Sequence, residues 1–165
     1  MSQKEPAPFV IADAATLHAA LGIILRAFSA LEGRVDPPPS ALSLTEADLA
    51  AAEGELWGIG TPLRGCMLLT LRGDVLDLAQ LAVDPVAQGQ GWGRRLIEWA
   101  AQRGRALGAG HLRLYSRVEL VENHALFFAT GFEQTGVSRH AGYDEPTSLI
   151  FQRALSAPDT PDLAP

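Results

Sequence analysis

The sequence predicts an α/β (α+β) domain built on one mixed, mostly antiparallel sheet of six or seven strands. Three apolar segments separated by turn residues lie between residues 56 and 83, as expected of consecutive antiparallel strands. A strand, a glycine loop, a helix and a second strand then follow between Leu78 and Tyr115. A crossover of this kind is right-handed and makes its two strands parallel. The length of 165 residues suits a single domain with its own core.

Hydrophobic period and turn residues predict the individual elements. Strands are expected at residues 9–12, 56–60, 66–71, 75–83, 111–115, 132–137 and 147–154. Helices are expected at residues 13–30, 45–53, 91–107 and 122–130. Asp13 is the predicted N-cap of the first helix, and Thr45 with Asp48 resembles a capping box for the second. Gly131 is the predicted left-handed C-cap of the last helix.

The domain organisation is predicted to be simple. Residues 1–8 are interpreted as a flexible leader, residues 9–155 as one domain, and residues 156–165 as a disordered tail rich in proline and small polar residues. The N-terminal residues show no apolar signal region, and no run approaches the length of a membrane span. A cytoplasmic protein without a membrane partner is therefore expected.

Composition excludes several classes of function. The formal net charge of −6 disfavours nonspecific binding to nucleic acid. A single cysteine, Cys66, lies in an apolar run and is predicted to be a buried structural thiol. No metal is expected, because the histidines have no paired ligand spacing: His18, His111, His124 and His140.

The glycine loop after the central strand carries the strongest chemical signal. Gly89, Gly91 and Gly93 alternate directly before a helix whose first turn holds Arg94 and Arg95 but no acid. A helix N-terminus is positive, so this arrangement favours an external phosphate or pyrophosphate on the loop N–H groups. Nucleoside-triphosphate and nicotinamide loops are disfavoured, because their GxxxxGK[ST] and GxGxxG spacings are absent. An ordinary glycine turn with solvated arginines is the alternative.

Two motifs resemble those of the GNAT superfamily of acyl-CoA N-acyltransferases. The first is Gln88-Gly89-Gln90-Gly91-Trp92-Gly93 after a strand, and the second runs from Glu122-Asn123 to Gly131-Phe132. The resemblance implies a sheet with helices on both faces and a splayed parallel strand pair at its centre. It also implies acetyl-CoA as co-substrate and transfer of the acetyl group to a primary amine of a small molecule or a protein, with a homodimer as one possible assembly.

The resemblance further implies a set of residues that bind the cofactor. The loop would hold the pyrophosphate of coenzyme A, and strand backbone would hold the pantetheine arm and the acyl oxygen, with the N–H of Leu81 or Ala82 facing the oxyanion. Asn123 would bond the arm near its amide, and Phe127 and Phe128 would pack against the coenzyme or the core. The implied cofactor-binding residues are Leu81, Ala82, Val83, Gln88, Gly89, Gln90, Gly91, Trp92, Gly93, Arg94, Asn123, Phe127 and Phe128.

The catalytic residues are less well determined by the resemblance. The family often has a tyrosine that protonates the departing thiolate, and this sequence has Phe127 at that position. Among the hydroxyl residues that could replace it, Tyr143 is the choice made here, and Asp77 at the start of the central strand is the predicted base. The alternatives are Tyr115 and Ser116 for the acid and Glu119, Glu122, His124 and His140 for the base. The vacant tyrosine position also motivates a second function, an acyl-CoA-binding sensor or interaction module with weak turnover.

Overall fold

A computed structural model describes residues 5–156 of the chain. The first four residues of the predicted leader and residues 157–165 of the predicted tail lie outside this range. The described strands are β1 (Phe9–Val10), β2 (Glu55–Ile59), β3 (Gly65–Arg72), β4 (Val75–Val83), β5 (His111–Arg117), β6 (Glu133–Ser138) and β7 (Ser148–Ala154). The described α-helices are α1 (Ala14–Ser29), α2 (Glu46–Ala51), α3 (Trp92–Ala106) and α4 (Val121–Ala129).

The seven strands form one sheet in the order β1-β2-β3-β4-β5-β7-β6. β1 with β2, β2 with β3, β5 with β7, and β6 with β7 pair antiparallel. β4 and β5 pair parallel in a register that runs from Val75 opposite His111 to Asp77 opposite Arg113. The predicted mixed, mostly antiparallel sheet with one parallel pair is confirmed.

Local interactions explain why the element bounds follow the predictions closely. The Asp13 carboxylate accepts the Thr16 N–H at 2.9 Å and so caps α1. Thr45 and Asp48 form the predicted capping box of α2, and Gly131 has a φ of 92° directly after α4. Two short 3-10 helices were not predicted, at Ser40–Ser43 and Pro85–Ala87. Each follows or begins with a proline, whose fixed φ suits a tight helical turn.

The chain divides into two compact units. Unit 1 comprises the residues up to Leu69 together with Ala79–Leu96, and unit 2 comprises Thr70–Leu78 together with the residues from Ile97 onward. The prediction of one domain over residues 9–155 stays a prediction.

The core of unit 1 is aliphatic and includes the single cysteine. Its buried members come from α1, α2, the strands and the segments between them: Ile11, Ala20, Ile23, Ile24, Ala41, Leu49, Leu56, Cys66 and Ala82. Burial raises the pKa of the Cys66 thiol to about 12, because the thiolate would lose its hydration. The thiol is therefore neutral and inert at physiological pH, as expected of a structural cysteine.

Aromatic side chains of β7 and α4 pack together in unit 2. Phe151 on β7 is fully buried, and the rings of His124, Phe127 and Phe128 on α4 lie 5.4 to 5.5 Å from it, centroid to centroid. Aromatic pairs at this separation stabilise a core beyond the area that they bury. This cluster anchors α4 to the sheet.

Candidate functional site

The glycine loop lies in unit 1 between β4 and α3, and its backbone is open on the outside. Gly89 and Gly91 have φ angles of 80° and 87°, in the left-handed region that favours glycine. A Cβ atom added at either position would meet no other atom within 4 Å. Glycine is therefore favoured here by the backbone conformation, and no described atom lies in contact with the space that a side chain would enter.

The backbone N–H groups of this loop bond to nothing in the described part of the chain. The N–H of Ala87 bonds to the carbonyl of Asp84 at 2.8 Å, and the next bonded backbone N–H is that of Arg95, which bonds to Gly91 at 3.1 Å. Within residues 5–156, no group accepts a hydrogen bond from the N–H groups of residues 88–94. Unpartnered N–H groups at the start of a helix are an anion-binding arrangement.

The polar side chains of the loop do not fill this opening. Gln88 Nε2 donates to the carbonyl of Val83 at 3.2 Å, and Trp92 Nε1 donates to Gln90 Oε1 at 3.2 Å. The side chain of Arg94 is exposed and has no partner in the described part of the chain. Arg95, by contrast, is held by Glu5 at 2.9 Å and lies over the Trp92 ring. Within the described chain, the side chain of Arg94 is thus unpaired and that of Arg95 is paired.

A polar clamp fixes the base of the loop. Asp84 Oδ1 accepts the N–H of Val86 at 3.3 Å, and Oδ2 accepts from Arg26 Nη2 of α1 at 3.1 Å. The N–H of Asp84 donates to the carbonyl of Arg64 at 2.8 Å. The turn that leads into the glycine loop is therefore tied both to α1 and to the turn before β3.

Gly65 allows close packing beside the loop, whereas Gly93 does not require its missing side chain. A Cβ on Gly65 would lie 3.0 Å from the carbonyl oxygen of Ala82 and 3.1 Å from Cδ1 of Leu96. A Cβ on Gly93 would lie 3.7 Å from Val83 Cγ2, so this glycine has ordinary packing room. Gly65 was missed by the sequence analysis, because a glycine at the start of a strand reads only as part of a turn.

The strand segment predicted to hold the acyl group follows an unusual residue. Gln80 has a φ of 51°, which is rare for a residue other than glycine and strained by about 1–2 kcal/mol. Leu81 and Val83 are half-buried, and Ala82 is buried. The extended geometry of β4 is therefore interrupted directly before the three predicted residues. Nothing in the residue type signals this, since asparagine and aspartate, not glutamine, favour such angles.

Asp77 lies in unit 2 within an ion-pair cluster. Arg113 Nε donates to Oδ1 at 2.7 Å and Arg113 Nη2 to Oδ2 at 2.9 Å, while Arg72 Nε lies 3.2 Å from Oδ2. These bonds raise the pKa of the Arg113 guanidinium, chiefly through the hydrogen bond to Asp77. Protonating a carboxylate held in this way would break a charge-assisted bond. The geometry favours a structural role for Asp77, and its role as the base stays a prediction.

The two phenylalanines of α4 have opposite environments. Phe127 is buried and packs against Phe132 and Phe151, at ring distances of 5.9 and 5.4 Å. Phe128 is 54% exposed although its ring also contacts Phe151. Burial favours the packing role of Phe127, whereas Phe128 has surface to offer a ligand.

The start of α4 presents one unoccupied polar side chain. The backbone N–H of Asn123 bonds to the Leu120 carbonyl at 3.0 Å, but the side-chain amide has no partner among residues 5–156. His124 is buried, and its Nε2 lies 2.9 Å from the Arg117 carbonyl, to which it donates. Asn123 is therefore available to a ligand, and His124 joins α4 to the end of β5.

The remaining proton-transfer candidates lie on β5 and on the loop between β6 and β7. Ser116 is buried, and Tyr115 is exposed with the Arg113 guanidinium 5.8 Å from its ring centre. Tyr143 is half-buried, and its ring meets that of His140 edge-on at 6.4 Å. The ring and backbone nitrogens of His140 both contact the hydroxyl of Thr147. This loop thus holds Tyr143 beside a fixed histidine.

The described residues offer neither a metal site nor a membrane-spanning helix. No three histidine, cysteine or acidic side chains among residues 5–156 are placed to hold a metal ion. None of the helices in that range is long and apolar enough to cross a membrane.

Comparison with known proteins identifies the family that the sequence matches. A family model described as an acetyltransferase (GNAT) domain matches residues 49–134, just over half of the chain. Mycothiol acetyltransferase of Beutenbergia cavernae is 35% identical over 141 residues, which are 78% of this chain and 44% of that protein. The chain thus spans less than half the length of this curated relative.

Solved structures agree on the fold. The ribosomal-protein-S18-alanine N-acetyltransferase from Escherichia coli superposes with a TM-score of 0.70 at 21% identity, over 94% of this chain and 97% of that one. A Bacillus subtilis acetyltransferase in complex with CoA superposes with a TM-score of 0.67 at 17% identity, over 92% and 100%. Identities this low support the fold alone, whereas the family match rests on sequence. The chain belongs to the GNAT acetyltransferase family.

Proposed function

We propose that this protein is an acetyl-CoA-dependent N-acetyltransferase whose glycine loop, residues 88–94, holds the diphosphate of the coenzyme. One observation carries the proposal: the backbone N–H groups of this loop have no partner within residues 5–156. A diphosphate would accept from them at the positive end of α3. The first turn of α3 contains no acid that would repel it. Arg94, whose side chain is exposed and has no partner among residues 5–156, adds a cation.

The thioester end of the coenzyme is assigned to β4. Backbone donors suit an oxyanion because they are fixed before charge develops. We assign this role to the N–H of Leu81 or Ala82 and the arm to Val83, all in unit 1. The role of Asn123 stays a prediction. The left-handed Gln80 supports the assignment, because it breaks the regular strand geometry just before these residues.

The chemical step is a direct attack of the amine on the thioester. The neutral amine nitrogen bonds to the acetyl carbon and the carbon–sulfur bond breaks. The nitrogen then gives up one proton to water, and the coenzyme leaves as a thiolate that takes one. The buried Phe127 carries no hydroxyl, so it cannot supply that proton. We assign proton delivery to Tyr143 or to water, since a thiol with a pKa near 8.5 is a tolerable leaving group. Asp77 we assign to positioning Arg113.

The acceptor is proposed to be a primary amine, without a choice between a small molecule and a protein. The two named relatives differ on this point, because one is described as a mycothiol acetyltransferase and the other as an enzyme for an alanine of ribosomal protein S18. A cytoplasmic location is proposed because no apolar signal region or membrane-length run was found in the sequence. A homodimer is proposed on the resemblance, and gel filtration with light scattering tests it.

The deciding experiment has two stages. Calorimetry with acetyl-CoA tests binding first, and the same preparation is then incubated with a panel of small amines and peptide N-termini. Acetylated product, detected by mass spectrometry, supports the transferase. Binding without product across the panel supports the sensor or interaction module instead. Absence of binding rejects both functions.

A further inference from the structure

The first turn of α3 already contacts an anion, which the N-terminal segment supplies. Glu5 Oε1 lies 2.9 Å from Arg95 Nη2, across 90 positions of sequence. Glu5 belongs to a short exposed or half-exposed segment, residues 5–8, that precedes β1. The helix itself has no acid in its first turn. Glu5 therefore provides the negative charge that such a turn normally carries in its own sequence.

The partner of Glu5 is held from a second side. The Arg95 guanidinium lies 5.0 Å from the centre of the Trp92 ring, and the indole Nε1 donates to Gln90. The Arg95 side chain is 32% exposed, against 72% for Glu5. The arginine is thus fixed by its own turn, and the glutamate is the member of the pair that can leave at little loss, since exposed ion pairs are worth about 0–1 kcal/mol.

A bound diphosphate and Glu5 would carry charge of the same sign to one helix turn. Electrostatic repulsion between the two anions opposes binding of the diphosphate. Glu5 also offsets part of the positive charge at the N-terminus of α3 that would otherwise attract the diphosphate. We propose that the N-terminal segment 5–8 acts as a built-in anionic competitor, which weakens coenzyme binding at the glycine loop and is released when the coenzyme binds. This inference rests on the proposed function of the loop.

The test compares Glu5→Gln with Glu32→Gln in coenzyme A titrations. Glu32 is an exposed acid of the same unit whose carboxylate has no partner among residues 5–156, so both variants change net charge equally. Glu5→Gln should bind coenzyme A about two- to fivefold more tightly at an ionic strength of about 0.01 M, and the gain should vanish near 1 M. Inorganic pyrophosphate should show the same order of affinities.

A double-mutant cycle tests the route of the effect. In an Arg95→Gln background Glu5 has lost its ion-pair partner. Glu5→Gln should then change coenzyme affinity by less than half of its effect in the wild-type background. Nuclear magnetic resonance supplies a second readout, because the amide chemical shifts of Glu5 and Ala7 should move toward their random-coil values when coenzyme A is bound.

The failures can be told apart. If wild-type protein does not bind coenzyme A, or if Gly91→Glu leaves its affinity unchanged, the proposed function fails. If Gly91→Glu abolishes binding but Glu5→Gln matches Glu32→Gln, only the competitor is rejected. Weaker binding by Glu5→Gln would also overturn the competitor, because Glu5 would then assist the site. A gain that persists at high salt would overturn its electrostatic origin.

Discussion

The two motif-bearing regions of the molecule satisfy their polar and apolar groups in opposite ways. In the glycine loop, residues 88–94, backbone donors are exposed and have no partner within the described chain. In α4, by contrast, the apolar side chain of Phe127 is packed inside the protein against Phe132 and Phe151. The proposed function assigns the unpartnered groups of the first region to a ligand, whereas the second region is packed against its own chain. Changes in the loop should therefore alter binding, and changes in α4 should alter stability.

The helix N-termini of unit 1 make the same contrast within one unit. α1 has the Asp13 cap and α2 has a capping box, so their first turns are satisfied by side chains of the same segment. α3 has neither a cap nor an acid, and carries two arginines instead. The start of α3 therefore differs from the other two in the residues of its own segment, as the proposed function of the loop requires.

The largest expected effect is on binding. Gly91→Glu should weaken coenzyme A binding by at least about 1,000-fold, or about 4 kcal/mol, because a carboxylate would stand among the donors meant for phosphate. Gly33→Glu is the matched control, since Gly33 also has a left-handed φ, of 77°, and open space around it. Both variants should lose about 1–2 kcal/mol of stability to backbone strain. Calorimetry showing equal affinities for the two variants would contradict the loop assignment.

The next effect is on stability alone. Phe127→Ala should lower the free energy of unfolding by about 3–5 kcal/mol, because it empties a space inside the aromatic cluster. Phe128→Ala, which changes a 54% exposed neighbour, should lower it by less than about 1 kcal/mol. Urea denaturation measures both. If the Phe127→Ala protein stays folded but binds coenzyme A much more weakly than wild type, Phe127 belongs to the cofactor site.

Asp77→Asn distinguishes a structural role of Asp77 from a role as the general base. We expect a loss of about 1–3 kcal/mol in stability, because Arg113 loses a charge-assisted partner. The turnover rate should fall less than about tenfold, and Asp77→Asn combined with Arg113→Gln should recover much of the stability. A general base would behave differently, with a loss of about 10²–10⁴ in rate that the second change cannot restore.

The smallest effect concerns the cap of α1 and its dependence on pH. The hydroxyl and the backbone N–H of Thr16 both donate to Asp13, and this lowers the pKa of the carboxyl below its usual value of 3.8. The stabilisation is complete above pH 3.8 and is lost as the pH falls through the folded-state pKa. The melting temperature of wild type should therefore exceed that of Asp13→Asn at pH 6, and the difference should disappear in strong acid. A difference that grows on acidification would be the wrong sign.

Much of the fold and the cofactor loop could be predicted because they depend on neighbouring residues. Capping by Asp13 and Thr45, the end of α4 at Gly131 and the turns at Gly89 and Gly91 are decided within a few positions, through φ preference and hydrogen bonds to adjacent backbone. The hydrophobic period places the strands for the same reason. A reader of the sequence alone could therefore find the family, and the loop to which anion binding is assigned in the proposed function.

Only the tertiary structure decided which distant residues meet. Arg113 lies 36 positions from Asp77, and Glu5 lies 90 positions from Arg95, so no local pattern pairs them. The burial of Phe127 likewise depends on β7, and the left-handed angle of Gln80 runs against its residue type. These features follow from packing across the sheet, and packing energy depends on three-dimensional neighbours that spacing along the chain does not specify.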